Sequence, residues 1–445
     1  MMLMYYCVLG HNNTFKGAIK MSNKTIYSKD FILVVIGQII SIFGNQIIRY
    51  ALPLYLLLQT GSSTVFGVIS AVAFIPMLVL YPVGGIIADR YNKKNIMVIL
   101  DFSTSGLIFL FSVLAGDLDV VPLIGITMMI LYGIQGAYQP AVKASVPVLV
   151  DTEHIMQANS LVDVINSLAS MAGPVIGGIL FSIYGLTPIL YISVICFFAS
   201  AVMEIFIHIP FEKMVTKGNM FVTGLSDLKD SFSFIFREQP VLWKMSLVYA
   251  AENLFLTALI LISAPVLITQ YLDFSTNTAN QLYGYAQGVI AAGAILGGLL
   301  TGVLSKKLNA RTSPLLLIGC ALCILLSGIG LQVFHDPMII YITMITGFGL
   351  LMILSTLFQI QLMSYFQMVT PLHLLGKVIS CVICVCMCTN PVGQFIYGIV
   401  FEHIGDKVYL PFYIAAIAVI VISVLTRRTF NKFDDLVKEQ TDEIV

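Results

Sequence analysis

Two stretches decide how this chain folds: GGIIADRYNKKN at residues 84–95 and GGLLTGVLSKKLN at residues 297–309. In each, a Gly-Gly pair is followed by a basic pair, Lys93-Lys94 in the first and Lys306-Lys307 in the second, at an offset of 213 residues. GILFSIYG at 178–185 and GIVFEHIG at 398–405 repeat at an offset of 220, and Pro174 and Pro391 at 217. Three matches at nearly one spacing are the trace of a duplicated unit.

The composition says where such a unit resides. Of 445 residues, 58% are hydrophobic and 10% charged, and the mean hydropathy is +0.94. Soluble proteins carry about a quarter charged residues, so this chain cannot cover a water-facing surface of its size. Apolar runs occupy 31–58, 64–87, 96–115, 121–147, 160–183 and 187–209, then 244–271, 280–304, 313–334, 337–366, 376–401 and 408–426. Each is long enough to cross a hydrocarbon core of about 30 Å as a helix. The expected fold is therefore an all-α integral membrane protein of twelve spans.

Orientation follows from the basic residues, which concentrate in cytoplasmic loops. With both termini in the cytoplasm of a cell-membrane protein, every Lys and Arg except Arg49, Lys143 and Lys407 falls on the cytoplasmic side. The expected organisation is a tail at 1–30, a six-helix half at 31–209, a linker at 210–243, a second half at 244–426 and a tail at 427–445. In the linker, Leu225, Leu228, Phe232, Ile235 and Phe236 share one helical face. That pattern fits either an amphipathic helix on the membrane surface or a plain linker. The first ten residues lack a signal-peptide pattern, and a start at Met21 would leave a short tail.

Several function classes drop out. Equal numbers of acidic and basic residues, 23 each, exclude the basic field of a nucleic-acid binder. No GxxxxGK[ST] loop is present to bind nucleotide. No intramembrane nucleophile–base set or metal-ligand grouping points to an enzyme or a cofactor. Cys381, Cys384 and Cys388 share a helix face, which reads as packing rather than a soft-metal site, since no His or carboxylate accompanies them. Two six-helix halves around a midplane site form a transporter architecture. The expected partners are a small-molecule substrate, protons and the bilayer, with the protein a monomer.

GIIADRYNKK at 85–94 resembles the signature between helices two and three of the major facilitator superfamily, with Asn92 in place of a glycine. The resemblance implies a gating loop of Gly85, Asp89, Arg90, Lys93 and Lys94. Gly85 would permit close helix packing, and Asp89 would meet the positive start of helix eleven. Gln139-Pro140-Ala141, Pro147, Leu149-Val150 and Ala158-Asn159-Ser160-Leu161 resemble the branch containing macrolide-efflux proteins and the enterobactin exporter, as does ALPLYLLLQTGSS at 51–63. Gly173-Pro174-Val175-Ile176-Gly177-Gly178 is similar to the G-P-x-x-G-G motif of drug:proton antiporters, which implies export, although a bare packing kink would read the same. The function implied is proton-coupled efflux of an amphipathic molecule of drug, macrolide or siderophore type. A solute importer or a proton-independent exchanger is the alternative.

Charges inside a membrane are functional candidates. Arg49 and Glu252 lie on helices one and seven, either as an ion pair or with Glu252 as a proton or substrate carboxylate. Asp101 and Lys143 are expected in the charge network around Asp89, altered because Thr104 stands where the family often has arginine. Glu204 is expected to snorkel to water. Asn45 stands where related exporters often carry aspartate, and with Gln38, Gln46, Asn253 and Gln394 it is a candidate cavity hydrogen-bonder.

Overall fold

The computed structural model describes residues 28–151, 155–209, 240–304, 309–370 and 375–442. The amphipathic segment expected at 225–236 lies outside the described residues. Twelve long helices follow one another: α1 Lys29–Thr60, α2 Ser63–Arg90, α3 Lys93–Leu114, α4 Val120–Leu149, α5 Ile155–Tyr184 and α6 Leu186–Ile205. The second set is α7 Pro240–Tyr271, α8 Thr276–Leu304, α9 Ser313–Val333, α10 Pro337–Val369, α11 Leu375–His403 and α12 Leu410–Asp442. Two π-helical turns, Asn253–Thr257 and Leu267–Tyr271, interrupt α7. Among the described residues, eleven of the twelve are apolar and long enough to span a membrane. In lipid a spanning segment must satisfy its own backbone, which these sequences do by remaining helical end to end.

Local chemistry sets the ends. Ser28, Ser62 and Asn92 accept hydrogen bonds from the first amides of α1, α2 and α3. Asn92 thus does useful work at the family's glycine position: its side chain caps α3 through the Lys94 amide at 3.0 Å. Gly185 and Gly405, the terminal glycines of the repeated octapeptides, both adopt left-handed φ values of 73° and 59°.

The halves pack alike. In the first, α1 packs on α5 and α6, α2 on α4, and α3 on α6; in the second, α7 packs on α11 and α12, α8 on α10, and α9 on α12. Gly84 and Gly297 make the equivalent crossings α2–α4 and α8–α10. A Cβ there would lie 2.7 Å from Ala137 Cα or 2.6 Å from the Ile353 carbonyl oxygen. The expectation for Gly85 is corrected: a Cβ at that position meets open space, so its neighbour Gly84 carries the close packing. Beyond residue 426 the chain continues as helix α12, with Phe430 buried and Asp434 paired with Arg311 at 3.0 Å.

Candidate functional site

A cavity of about 360 Å³ lies between the halves, lined from α1, α2, α4 and α5 on one side and α7, α8, α10 and α11 on the other. Its polar lining comes from glutamines, serines and tyrosines, including Gln46, Tyr132, Tyr283 and Gln287. Among the described residues, Arg49 is the one charged member of that lining. Its guanidinium carbon sits 4.4 Å from the centre of the Tyr132 ring, a cation–π contact.

The cavity is sealed at the end of the bundle away from the α2–α3 loop. Every hydrogen bond between the halves among the described residues lies there. Gly178 of α5 meets Gly284 of α8 backbone to backbone, and Gly398 of α11 meets Gly67 of α2 in the same way. Tyr50 donates to the Asn280 carbonyl at 2.6 Å and stacks on Tyr283 at 4.9 Å. Toward the other end, the α5–α8 seam opens into an apolar groove of about 560 Å³ that shares Ser170, Ala291 and Ala294 with the cavity.

The G-P-x-x-G-G residues all sit on contacts around this seal. A Cβ at Gly173 would meet Gln46, one at Gly177 would meet Tyr50 and Ile47, and the Pro174 carbonyl abuts Gly284. In the gating loop, the side chains of Asp89 and Arg90 lie outside the described residues, while Lys93 and Lys94 are half-buried in the first turn of α3. Cys381 and Cys384 have side chains outside the described set, and the described residues hold no grouping suited to a metal.

Arg49 and Glu252 are not brought together. Glu252 is buried within the second half, where Ser355 donates to one carboxylate oxygen at 2.6 Å and Gln359 to the other at 3.2 Å. It contributes nothing to the cavity lining. Lys143 is exposed and takes no part in the ion pairs found among the described residues, while the Asp89 side chain, around which its charge network was expected, lies outside them. Asp101 instead accepts from Ser41 at 3.2 Å. Glu204 does not snorkel: it is fully buried and accepts from the Tyr138 hydroxyl at 2.9 Å. Its position on α6 faces α1 and α4 rather than lipid, which removes the route to water.

Of the amides, Gln46 and Gln394 line the cavity. Asn45 binds Gln135 of α4, Asn253 binds its own helix at the Tyr249 carbonyl, and Gln38 donates to Tyr138. The sequence reading missed Tyr50, Tyr132 and Tyr283, because tyrosine within an apolar run carries no sign of which face it occupies.

Residues 34–382 match the model of the Major Facilitator Superfamily. Macrolide efflux protein A of Streptococcus pyogenes is 22% identical over 66% of this chain and 72% of its own length. The staphyloferrin A transporter of Staphylococcus aureus is 24% identical over 74% and 77%. A bacterial homologue of the iron transporter ferroportin, in an inward-facing state, superposes with a TM-score of 0.66 at 14% identity, covering 91% of this chain and 98% of that one. That likeness concerns the fold alone. Twelve helices in two matched halves, a cavity between them and a family match across most of the chain lead to one conclusion: this protein belongs to the Major Facilitator Superfamily and is a membrane transporter, not an enzyme.

Proposed function

We propose that the chain exports a small amphipathic organic molecule across the cell membrane by alternating access, in exchange for protons. The observation that carries this reading is the cavity between the halves, aromatic and polar with one cation, sealed by glycine seams at one end. Rings of Tyr50, Tyr132 and Tyr283 suit a flat apolar body. Arg49, with no carboxylate beside it in the lining, suits an anionic or acceptor-rich group. The relative named for macrolide efflux supports export, and with the one named for staphyloferrin transport it supports this cargo class. With the basic loops in the cytoplasm, as the distribution of Lys and Arg favours, the sealed end faces outward. Asp89, Arg90, Lys93 and Lys94 then serve the cytoplasmic gate, and the protein works as a monomer.

Glu252 is the proposed coupling residue of the second half. Its donors, Ser355 and Gln359, are neutral, so the carboxyl is free to gain and lose a proton as α7 and α10 move. The test uses inverted vesicles with an imposed pH gradient and a labelled panel of a macrolide, a ferric siderophore and an anionic dye. Gradient-dependent accumulation is expected for wild type and its loss for Glu252→Gln, while Arg49→Gln weakens retention of anionic compounds first. Accumulation in right-side-out vesicles would identify an importer, and gradient-independent exchange would remove the proton from the cycle.

A further inference from the structure

Inside the first half, away from the cavity, two acids share one buried polar cluster. Asp101 of α3 and Glu204 of α6 are 2% and 0% exposed. From α1, Gln38 and Ser41 face them; from α4, Tyr138; from α6, Ser200. Of these four partners only Tyr138 is titratable, and no Lys, Arg or His is among them. Asp101 and Glu204 lie close enough to feel each other's charge.

The hydrogen-bond inventory does not balance. Ser41 donates to Asp101 Oδ1, Tyr138 donates to Glu204 Oε1, and Gln38 donates to the Tyr138 oxygen. Asp101 Oδ2, Glu204 Oε2 and Gln38 Oε1 remain buried with no donor at hydrogen-bond geometry among the described residues, Ser200 donating instead to the Gly37 carbonyl at 3.0 Å. Three acceptors without donors among the described residues, two of them on acids with no counter-cation there, are a costly arrangement in an apolar bundle. A proton on a carboxyl cancels a negative charge and turns an acceptor oxygen into a donor. It also needs no room, and these residues line none of the cavities described above.

We propose that Asp101 and Glu204, together with Tyr138, Gln38 and Ser41, form a proton-binding site in the first half, distinct from Glu252. The site holds at least one proton shared by the pair: a carboxylate and a proton form a carboxylic acid, and release restores the carboxylate. Its link to the cavity is α1, which carries Gln38 and Ser41 in the cluster and Gln46 and Arg49 in the cavity wall. The role in transport rests on the proton-exchange reading above; the presence of the proton does not.

Infrared difference spectroscopy of the purified full-length protein in lipid nanodiscs, stepped between two pH values, separates these. Wild type is expected to show a protonated-carboxyl band that Asp101→Asn/Glu204→Gln removes. The two single variants should change it non-additively, as for a coupled pair. Glu252→Gln should leave it in place. Should the double variant not fold, Tyr138→Phe keeps the ring and removes one donor, and the band's pH midpoint should move by about 0.4–1 unit, the worth of one hydrogen bond. A double variant with the wild-type spectrum, or a Tyr138→Phe midpoint that stays put, overturns the proposal. So does a band abolished by sodium at fixed pH, which would make the cluster a metal-cation site. A band present in a protein that transports without a pH gradient would leave the proton site standing and sink the exchange reading instead.

Discussion

The two seams that seal the cavity are copies of one device with different fastenings. In the α5–α8 seam Gly178 crosses Gly284; in the α2–α11 seam Gly398 crosses Gly67. Both pairs follow the duplication, as Gly178 and Gly398 open the repeated octapeptides. Around the crossings the chemistry diverges. The α5–α8 seam is fastened by neutral groups: Tyr50 to the Asn280 carbonyl, Ser182 to the Asn277 carbonyl, and Gln281 to Ser182. The α2–α11 seam is fastened by Glu402, just beyond the apolar run of α11, which accepts from Ser62, Ser63 and the Thr64 amide at 3.1–3.2 Å. A carboxylate thus caps the positive end of α2 from the opposite half. Duplication preserved the backbone approach, which admits no side chain, and left the fastening free to change.

The largest effect should come from filling a crossing. A Cβ at Gly178 would lie 2.9 Å from Gly284 Cα, and one at Gly398 would lie 2.8 Å from the Ser63 carbonyl oxygen. Backbone cannot yield as a flexible side chain can, so Gly178→Val or Gly398→Val should cost about 1–3 kcal/mol. That is roughly a 5- to 150-fold shift away from the sealed form. A Ser70→Cys reporter in the cavity wall, probed with an impermeant thiol reagent from the sealed side, should label faster by that order. Equal labelling in both glycine variants and the parent would break the equivalence of the seams.

A smaller loss is expected for Tyr50→Phe, which keeps the stack on Tyr283 but deletes the 2.6 Å hydrogen bond across the α5–α8 seam. One such bond is worth about 0.5–1.5 kcal/mol net, or about 2- to 10-fold in the same labelling assay. The change should be independent of pH.

The smallest effect distinguishes the seams most sharply. For the Glu402 carboxyl, burial works toward a higher pKa, but the hydrogen bonds from Thr64, Ser63 and Ser62 outweigh it and hold the pKa below the usual glutamate range. Its contribution is therefore complete above the pKa of a free glutamate, about 4.3, and is lost as pH falls through the lowered value. Because the group is exposed, solvent and salt screen the contact to the helix-end scale of about 0.3–1 kcal/mol. Acid should loosen the α2–α11 seam about 2- to 5-fold and spare α5–α8. Glu402→Gln should reproduce the loosening at neutral pH and flatten the acid response. Distance probes across each seam, read against pH and salt, check both; an acid response confined to α5–α8 would reverse the assignment.

Much of this was legible in the residues. Span count, duplication and one glycine of each seam, Gly178 and Gly398, follow from hydropathy and a repeat spacing, which are local properties of the chain, whereas their partners Gly284 and Gly67 came only from the packing. Rotation about each helix was not. Gly84 rather than Gly85 makes the close crossing, a difference of one residue and hence about 100° around the helix. Glu204 and Ile205 are neighbours, yet one is sealed inside the half while the other is exposed. Arg49 and Glu252 looked like partners from their places on equivalent helices, but only Arg49 faces the cavity.

The sequence by itself determined that this chain enters the membrane, how many times it crosses, and that it is built twice. Those outcomes depend on apolar length and on backbone self-satisfaction, which each segment carries alone. Only the tertiary structure decided which polar side chains meet: Asp101 with Ser41, Glu204 with Tyr138, Glu252 with Ser355 and Gln359, and Glu402 with the start of α2. In an apolar bundle nearly every face is hydrophobic, so the pattern of a helix does not say which way it turns. Packing against its neighbours does.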